Sequence, residues 1–244
     1  MSLVLHRFPL SHFAEKVRAC LDFKGLDYRV QDHYPGLGQI QLYRLSGQRQ
    51  VPVLEHDGKT ITDSTEIALY LERTFPEGRR LLPEDQEKRG EVLALQDHIG
   101  KTLGRGSGLL AFLQADRDPR MQEILKVGTS ATMFAVIKAT AFVARNARKH
   151  VVSVEEKLGA VERMVRESLT DLTRRLEKSP YLTGDKPTLA DVAAATLVMP
   201  LKFPVSRYVA SPRIMGQVGN PIATEPEYAP FFEWREQFYR DYLQ

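Results

Sequence analysis

Three short segments hold residues whose types and placement could do chemistry. The first is Pro9-Leu10-Ser11-His12-Phe13-Ala14-Glu15-Lys16-Val17-Arg18. Ser11 falls between an apolar run and a helical pattern, where a serine serves either as a helix cap or as a catalytic hydroxyl. The second is Gln50-Val51-Pro52. Proline cannot donate to a sheet ladder, so at the head of a strand it marks an edge strand or a cis peptide. A cis bond would leave the Val51 backbone free to pair with an extended ligand. The third is Asp63-Ser64. Both residues can cap a helix, and a helix start that carries a hydroxyl is also a ready carboxylate site.

The elements around these segments alternate. Leu3 to Phe8 is a short apolar run that reads as a buried strand. From Phe13, the residues Val17, Cys20 and Leu21 recur at helical spacing with Glu15, Lys16, Arg18 and Asp22 between them, an amphipathic pattern stopped at Gly25. Asp27 to Gln31 alternates as a second strand, and Gln39 to Leu45 fits a short helix. Val51 to Glu55 and Thr60 to Thr62 flank Asp57-Gly58, a hairpin signal. A helix then starts at Asp63 and ends by Phe75-Pro76-Glu77-Gly78. A helical crossover between the first two strands favours parallel pairing, and an antiparallel hairpin follows, as in a thioredoxin-like layer.

After a turn-rich stretch from Gly78 to Pro83, strand-like alternation is scarce. Helical patterns run from Glu87 to Leu103, are interrupted at Gly104 to Gly108, and resume from Met121 to Lys149 with a break near Gly128. Ser153-Val154-Glu155-Glu156 and Thr188-Leu189-Ala190-Asp191 read as capping boxes. Phe203 to Pro230 is rich in Pro, Gly and Ser and is expected to wrap the surface, before a last helix from Phe231 to Tyr242. The fold class is α/β plus all-α: a thioredoxin-like N-terminal domain, residues 1–77, followed by an all-helical domain, residues 84–244.

Composition narrows the function classes. Of 244 residues, 43% are hydrophobic and 27% charged, the balance of a globular protein. Cys20 is the sole cysteine, so there is no internal disulfide, no CxxC redox chemistry and no cysteine-based metal site; a reducing cytoplasm fits. The first ten residues lack a signal-peptide pattern, and the apolar stretch near Ala131 to Ala144 is too short to span a bilayer, so no membrane partner is expected. The net charge is only +3, and the basic run Arg145 to His150 reads as a helix C-terminus rather than a nucleic-acid patch.

Taken together, the three segments resemble the glutathione-binding domain of glutathione transferases: a serine with Lys-Val-Arg five residues on, then Val-Pro, then an acidic residue and a serine opening a helix. Gly184-Asp185-Lys186-Pro187-Thr188-Leu189-Ala190-Asp191 is similar to the capping box of the same superfamily's helical domain. The resemblance covers residues 3–76 and 181–200, is weak over 104–150, and stops at 203–230. It implies glutathione as co-substrate, a small hydrophobic electrophile as second substrate, a homodimer and detoxification chemistry. By position, it implies that Ser11 activates the glutathione thiol. Val51, ahead of Pro52, would pair with the cysteinyl backbone. Ser64 would hold the γ-glutamyl carboxylate and Asp63 the ammonium, with Gln50 near the glycyl end and Phe13 also in the glutathione site.

The chain departs from the pattern at two points. His12 stands where a proline often follows the active residue, and is expected to point to solvent or to tune the thiol. Ser46-Gly47 replaces the usual Asn-Pro, so no glycyl-carboxylate ligand is assigned there. Cys20 sits on the apolar face of the first helix and is expected to be buried. Leu10, Phe112 and Tyr208 are candidate linings of the electrophile site. The alternative to an enzyme is a non-catalytic protein of the same fold that binds glutathione or hydrophobic ligands.

Overall fold

A computed structural model describes residues 2–34, 36–114, 118–128, 131–147, 152–206 and 212–243. Strand β1 (Leu3–Arg7) is central in a four-stranded sheet of order β2-β1-β3-β4. It pairs in parallel with β2 (Arg29–Asp32), Leu5 opposite Val30, and antiparallel with β3 (Val53–His56), Leu5 opposite Leu54. Strand β4 (Lys59–Thr62) closes the hairpin on β3. Asp57 and Gly58 both take positive φ in its turn, 46° and 82°, the geometry that makes an Asp-Gly pair a hairpin signal.

Three helices belong to this layer: α1 (His12–Lys24), α2 (Leu37–Ser46) and α3 (Ser64–Thr74). The helical part follows with α4 (Gln86–Ile99), α5 (Arg105–Gln114), α6 (Pro119–Gly128), α7 (Ala131–Ala147), α8 (Val152–Leu176), α9 (Leu189–Leu197) and α10 (Ala229–Tyr242). Three expectations are corrected. Gly104 to Gly108 does not interrupt the chain's helical course: α4 passes through a π-helical turn, Gly100–Gly104, directly into α5. The glycines serve close packing. A Cβ on Gly106 would come within 2.6 Å of Val165 Cγ2 on α8, and one on Gly104 within 3.0 Å of the Phe13 ring.

Helix α1 is not half-solvated either. Glu15, Lys16 and Arg18 are as buried as Val17 and Leu21, because α9 and α3 pack against the helix and Tyr239 of α10 reaches Glu15. Finally, the segment after Phe203 is more than a surface wrap. Phe203, Ile214, Ile222 and Tyr228 are all buried, and Asn220 caps a short 3-10 turn by accepting from Ile222 N at 2.9 Å. Helix α7 ends at Ala147; the rest of the basic run, 148–150, and Tyr208 lie outside the described residues.

The box at Thr188 forms. Buried Asp191 accepts from Thr188 N at 2.8 Å, from Thr188 Oγ1 at 3.0 Å and from Leu182 N at 2.8 Å. It thereby ties the loop before α9 to the helix that packs on α1. Removing the carboxylate leaves two backbone donors unsatisfied. Asp191→Ala is expected to cost about 2–4 kcal/mol, read as a lowered urea midpoint at unchanged slope. An unmoved midpoint would contradict that role.

Candidate active site

The N-terminus of α1 is the centre of the site. Ser11 is its N-cap: the backbone is extended at φ −81° and ψ 108°, and Oγ accepts from Ala14 N at a long 3.3 Å. Its hydroxyl proton has no acceptor among the described residues. A free O–H at the positive end of a helix dipole is suited to an anion.

The hairpin comes to the same place. The Val51–Pro52 peptide is cis. The β3 ladder begins at Val53, and among the described residues no hydrogen bond uses the Val51 N–H or C=O. Beside it α3 begins. Asp63 takes φ 66° and ψ 129°, a conformation that costs a non-glycine residue on the order of 1–3 kcal/mol. Its Oδ1 accepts from Thr65 N at 2.8 Å and Glu66 N at 3.2 Å. Ser64 is buried next to it.

These residues surround connected spaces. Phe13, Val51, Pro52, Asp63 and Ser64 line a cleft of about 340 Å³, with Gln50 at its rim. Ser11 lines an adjoining cleft of about 460 Å³ that shares Phe13, Gln50 and Val51 with the first. The structure therefore brings all seven candidate residues onto one continuous cleft. A third space, about 200 Å³, opens from the second across Phe8, Leu10 and His12. Its far walls are apolar: Ala111 and Phe112 of α5, Met121 and Ile124 of α6, and Phe203. Leu10 and Phe112, two of the candidate linings, are both on the walls of this space.

Sequence reasoning missed one residue. Lys16 is 2% exposed and lines the first cleft. Nζ donates to Thr65 Oγ1 at 3.1 Å and to Gln96 Oε1, on α4, at 2.8 Å. Asp63 and Asp97 act on it only at longer range, so one of its three protons has no acceptor among the described residues, while burial pulls its pKa down. The signal was present as the Lys of Lys16-Val17-Arg18, but the helical pattern read it as solvated.

Comparisons with known proteins identify the family. Residues 5–79 match the model of the glutathione S-transferase N-terminal domain, and residues 143–239 match that of the C-terminal domain. The chain belongs to the glutathione S-transferase family. It is 24% identical to glutathione S-transferase U9 of Arabidopsis thaliana over 201 residues, 82% of this chain and 70% of that protein. It is 34% identical to the maleylacetoacetate isomerase of Mus musculus over 132 residues, 52% of this chain and 61% of the isomerase. The crystal structure of the beta-etherase LigF from Sphingobium sp. strain SYK-6 superposes with a TM-score of 0.63 at 25% identity, covering 96% of this chain and 99% of that one. Glutathione is accordingly the transferase's co-substrate, and its fold is the thioredoxin-like layer followed by helices. No helix among the described residues is long and apolar enough to cross a membrane.

Two further expectations are resolved. Cys20 is buried, and burial pushes its thiol up to about 12, which leaves it inert at neutral pH. His12 does not point to solvent. Its Nε2 lies 2.7 Å from Gly104 O, its ring packs on Phe13 at 4.6 Å, and burial pushes its pKa down to about 4. In an NMR titration the His12 ring resonances should therefore stay constant between pH 5 and 8 and move only near pH 4. A midpoint near the ordinary value of about 6.5 would show the ring to be solvated.

Proposed function

We propose that the transferase activates the glutathione thiol with Ser11 for attack on a small, uncharged, hydrophobic electrophile. The observation that carries this reading is the unclaimed Ser11 hydroxyl at the start of α1, in the cleft it shares with Phe13, Gln50 and Val51. A free thiol has a pKa of about 8.5. An O–H donated to sulfur, with the dipole of α1 behind it, favours the thiolate. The sulfur's lone pair then forms a bond to the electrophilic carbon as the leaving group departs with its electron pair, or, in a conjugated acceptor, as the double bond's π pair shifts toward the activating carbonyl and the α-carbon takes up a proton.

The remaining roles follow the cleft. The Val51 N–H and C=O pair with the cysteinyl backbone, held by Pro52 in the turn before β3. The γ-glutamyl carboxylate sits at the start of α3 against Ser64, with the third proton of Lys16 as its charged donor. Asp63, with one oxygen still outside its cap bonds, takes the ammonium. Phe13 forms the floor, and Gln50 faces the glycyl end. The apolar third cavity receives the electrophile. Its lining among the described residues includes no Lys or Arg, which favours an uncharged second substrate over an anionic one. Peroxide reduction or isomerisation would draw on the same thiolate. A homodimer in the cytoplasm is the assembly and location that the resemblance supports.

Ser11→Ala should return the bound thiol's pKa toward the free value by about one to two units, the equivalent of one hydrogen bond to a charged group. Ultraviolet thiolate absorbance against pH reads this directly. A wild-type thiol with no shift, or a variant as active as wild type, would remove Ser11 from the mechanism. Lys16→Met should weaken glutathione binding about tenfold or more by calorimetry and leave the thiol's pKa in place. Unaltered affinity would show that Lys16 is structural only.

A further inference from the structure

Among the described residues that line the apolar cavity, His12 alone brings a polar side chain. Its geometry settles which ring nitrogen is bare. Nε2 is 2.7 Å from the Gly104 carbonyl oxygen, which can only accept, so Nε2 carries the proton and Nδ1 the lone pair. Among the described residues, Nδ1 accepts from none. It is also absent from the polar atoms of the described residues that are sealed from solvent without a partner, which are His33 Nδ1, His56 Nε2 and Arg235 Nε. Nδ1 is therefore not sealed from solvent, and His12 stands where the Ser11 space meets the apolar cavity, lining both.

The ring is held in place. Phe13 packs on one side, and Gly108 leaves room on α5, where a Cβ would come within 3.0 Å of His12 Cε1. With a pKa of about 4, the imidazole stays neutral at every pH where the enzyme would work. It is too weak a base to take a proton from a thiol of pKa about 8.5. What remains is a fixed, neutral acceptor in an apolar wall. Such a group prefers a partner over an empty apolar surface, and a site that presents it discriminates against ligands without a donor.

We propose that His12 Nδ1 selects and orients the second substrate, an apolar electrophile that carries a hydroxyl or N–H donor. The proposal rests on the apolar cavity being the electrophile site. It places the specificity determinant one residue after Ser11, so the same helix turn fixes the thiol and the group that aims its target.

The test uses 4-phenyl-3-buten-2-one and its 2-, 3- and 4-hydroxyphenyl analogues. Each kcat/KM is divided by the uncatalysed rate with glutathione, which removes intrinsic reactivity. The wild-type enzyme should favour at least one hydroxylated isomer by about tenfold, the value of one hydrogen bond. His12→Phe should abolish that preference without raising the glutathione KM. His12→Asn, which offers an amide near the Nδ1 position, should restore part of it. In parallel, the 15N resonance of His12 Nδ1 in the wild type should shift on adding phenol and stay still on adding toluene. Absence of any preference in the wild type, its persistence in His12→Phe, or an Nδ1 signal that ignores phenol would each overturn the proposal. An unshifted glutathione thiol alongside a phenol-responsive Nδ1 would instead defeat the transferase mechanism on Ser11, so the two failures are distinguishable.

Discussion

Burial of α1 on every side is the constraint on which the rest depends. The helix carries Glu15, Lys16 and Arg18 through the interior, where each charge must find an opposite charge or hydrogen-bond acceptors: Lys16 has Thr65 and Gln96. Arg18 meets Glu15 through two bonds of 2.8 and 2.7 Å and contacts Asp22, which accepts from Tyr28. Arg18 thereby holds the Glu15 carboxyl below its usual range against the opposing effect of burial. Tyr239 of α10 adds a bond of 3.1 Å to Glu15, which pins the last helix to the first. At the other end, Lys24 pairs with Glu72 of α3 at 2.9 Å, and Glu72 also receives Arg80 and the Leu81 N–H from the connecting segment. A helix fixed in this way can present Ser11 and His12 at its N-terminus with little freedom, which is what preorganised chemistry requires.

The glycines of the π-helical turn and α5 complete the arrangement. A Cβ at 106 would overlap Val165 at 2.6 Å, and one at 104 or 108 would press on Phe13 or His12 at 3.0 Å, so these glycines let the segment lie close to both α8 and the start of α1. The π-helical turn at Gly100–Gly104 directs the Gly104 carbonyl to His12. Polar contacts thus gather around the glutathione side of the seam, at Lys16, Gln96 and Asp63, and apolar ones around the other. The division matches a reaction between a charged tripeptide and a hydrophobic partner.

Most of the sheet layer was legible from the sequence because its signals are local. Asp57-Gly58 specifies its own turn, Ser11 and Asp63 are caps that announce helix starts, and Pro52 stands out in a strand. The candidate site was legible for the same reason: its residues sit at element ends, where residue type is informative. What was not legible depends on packing between distant segments. Periodicity gave Glu15, Lys16 and Arg18 to solvent, because nothing local reveals that α9 and α10 cover them. Gly104, Gly106 and Gly108 read as a break because a glycine that interrupts a helix and one that permits close approach look identical in sequence. The lining of the apolar cavity comes from α5, α6, α7 and the segment after α9, and no local pattern announces that they converge.

The central claim is that the start of α1 holds the reacting sulfur. A crystal structure of the protein with glutathione measures it directly. The account predicts the sulfur within about 3.5 Å of Ser11 Oγ, the cysteinyl backbone paired with Val51, and the γ-glutamyl carboxylate at the start of α3 beside Ser64 and Lys16. Glutathione bound with its sulfur turned away from Ser11, or with its γ-glutamyl end elsewhere, would contradict it.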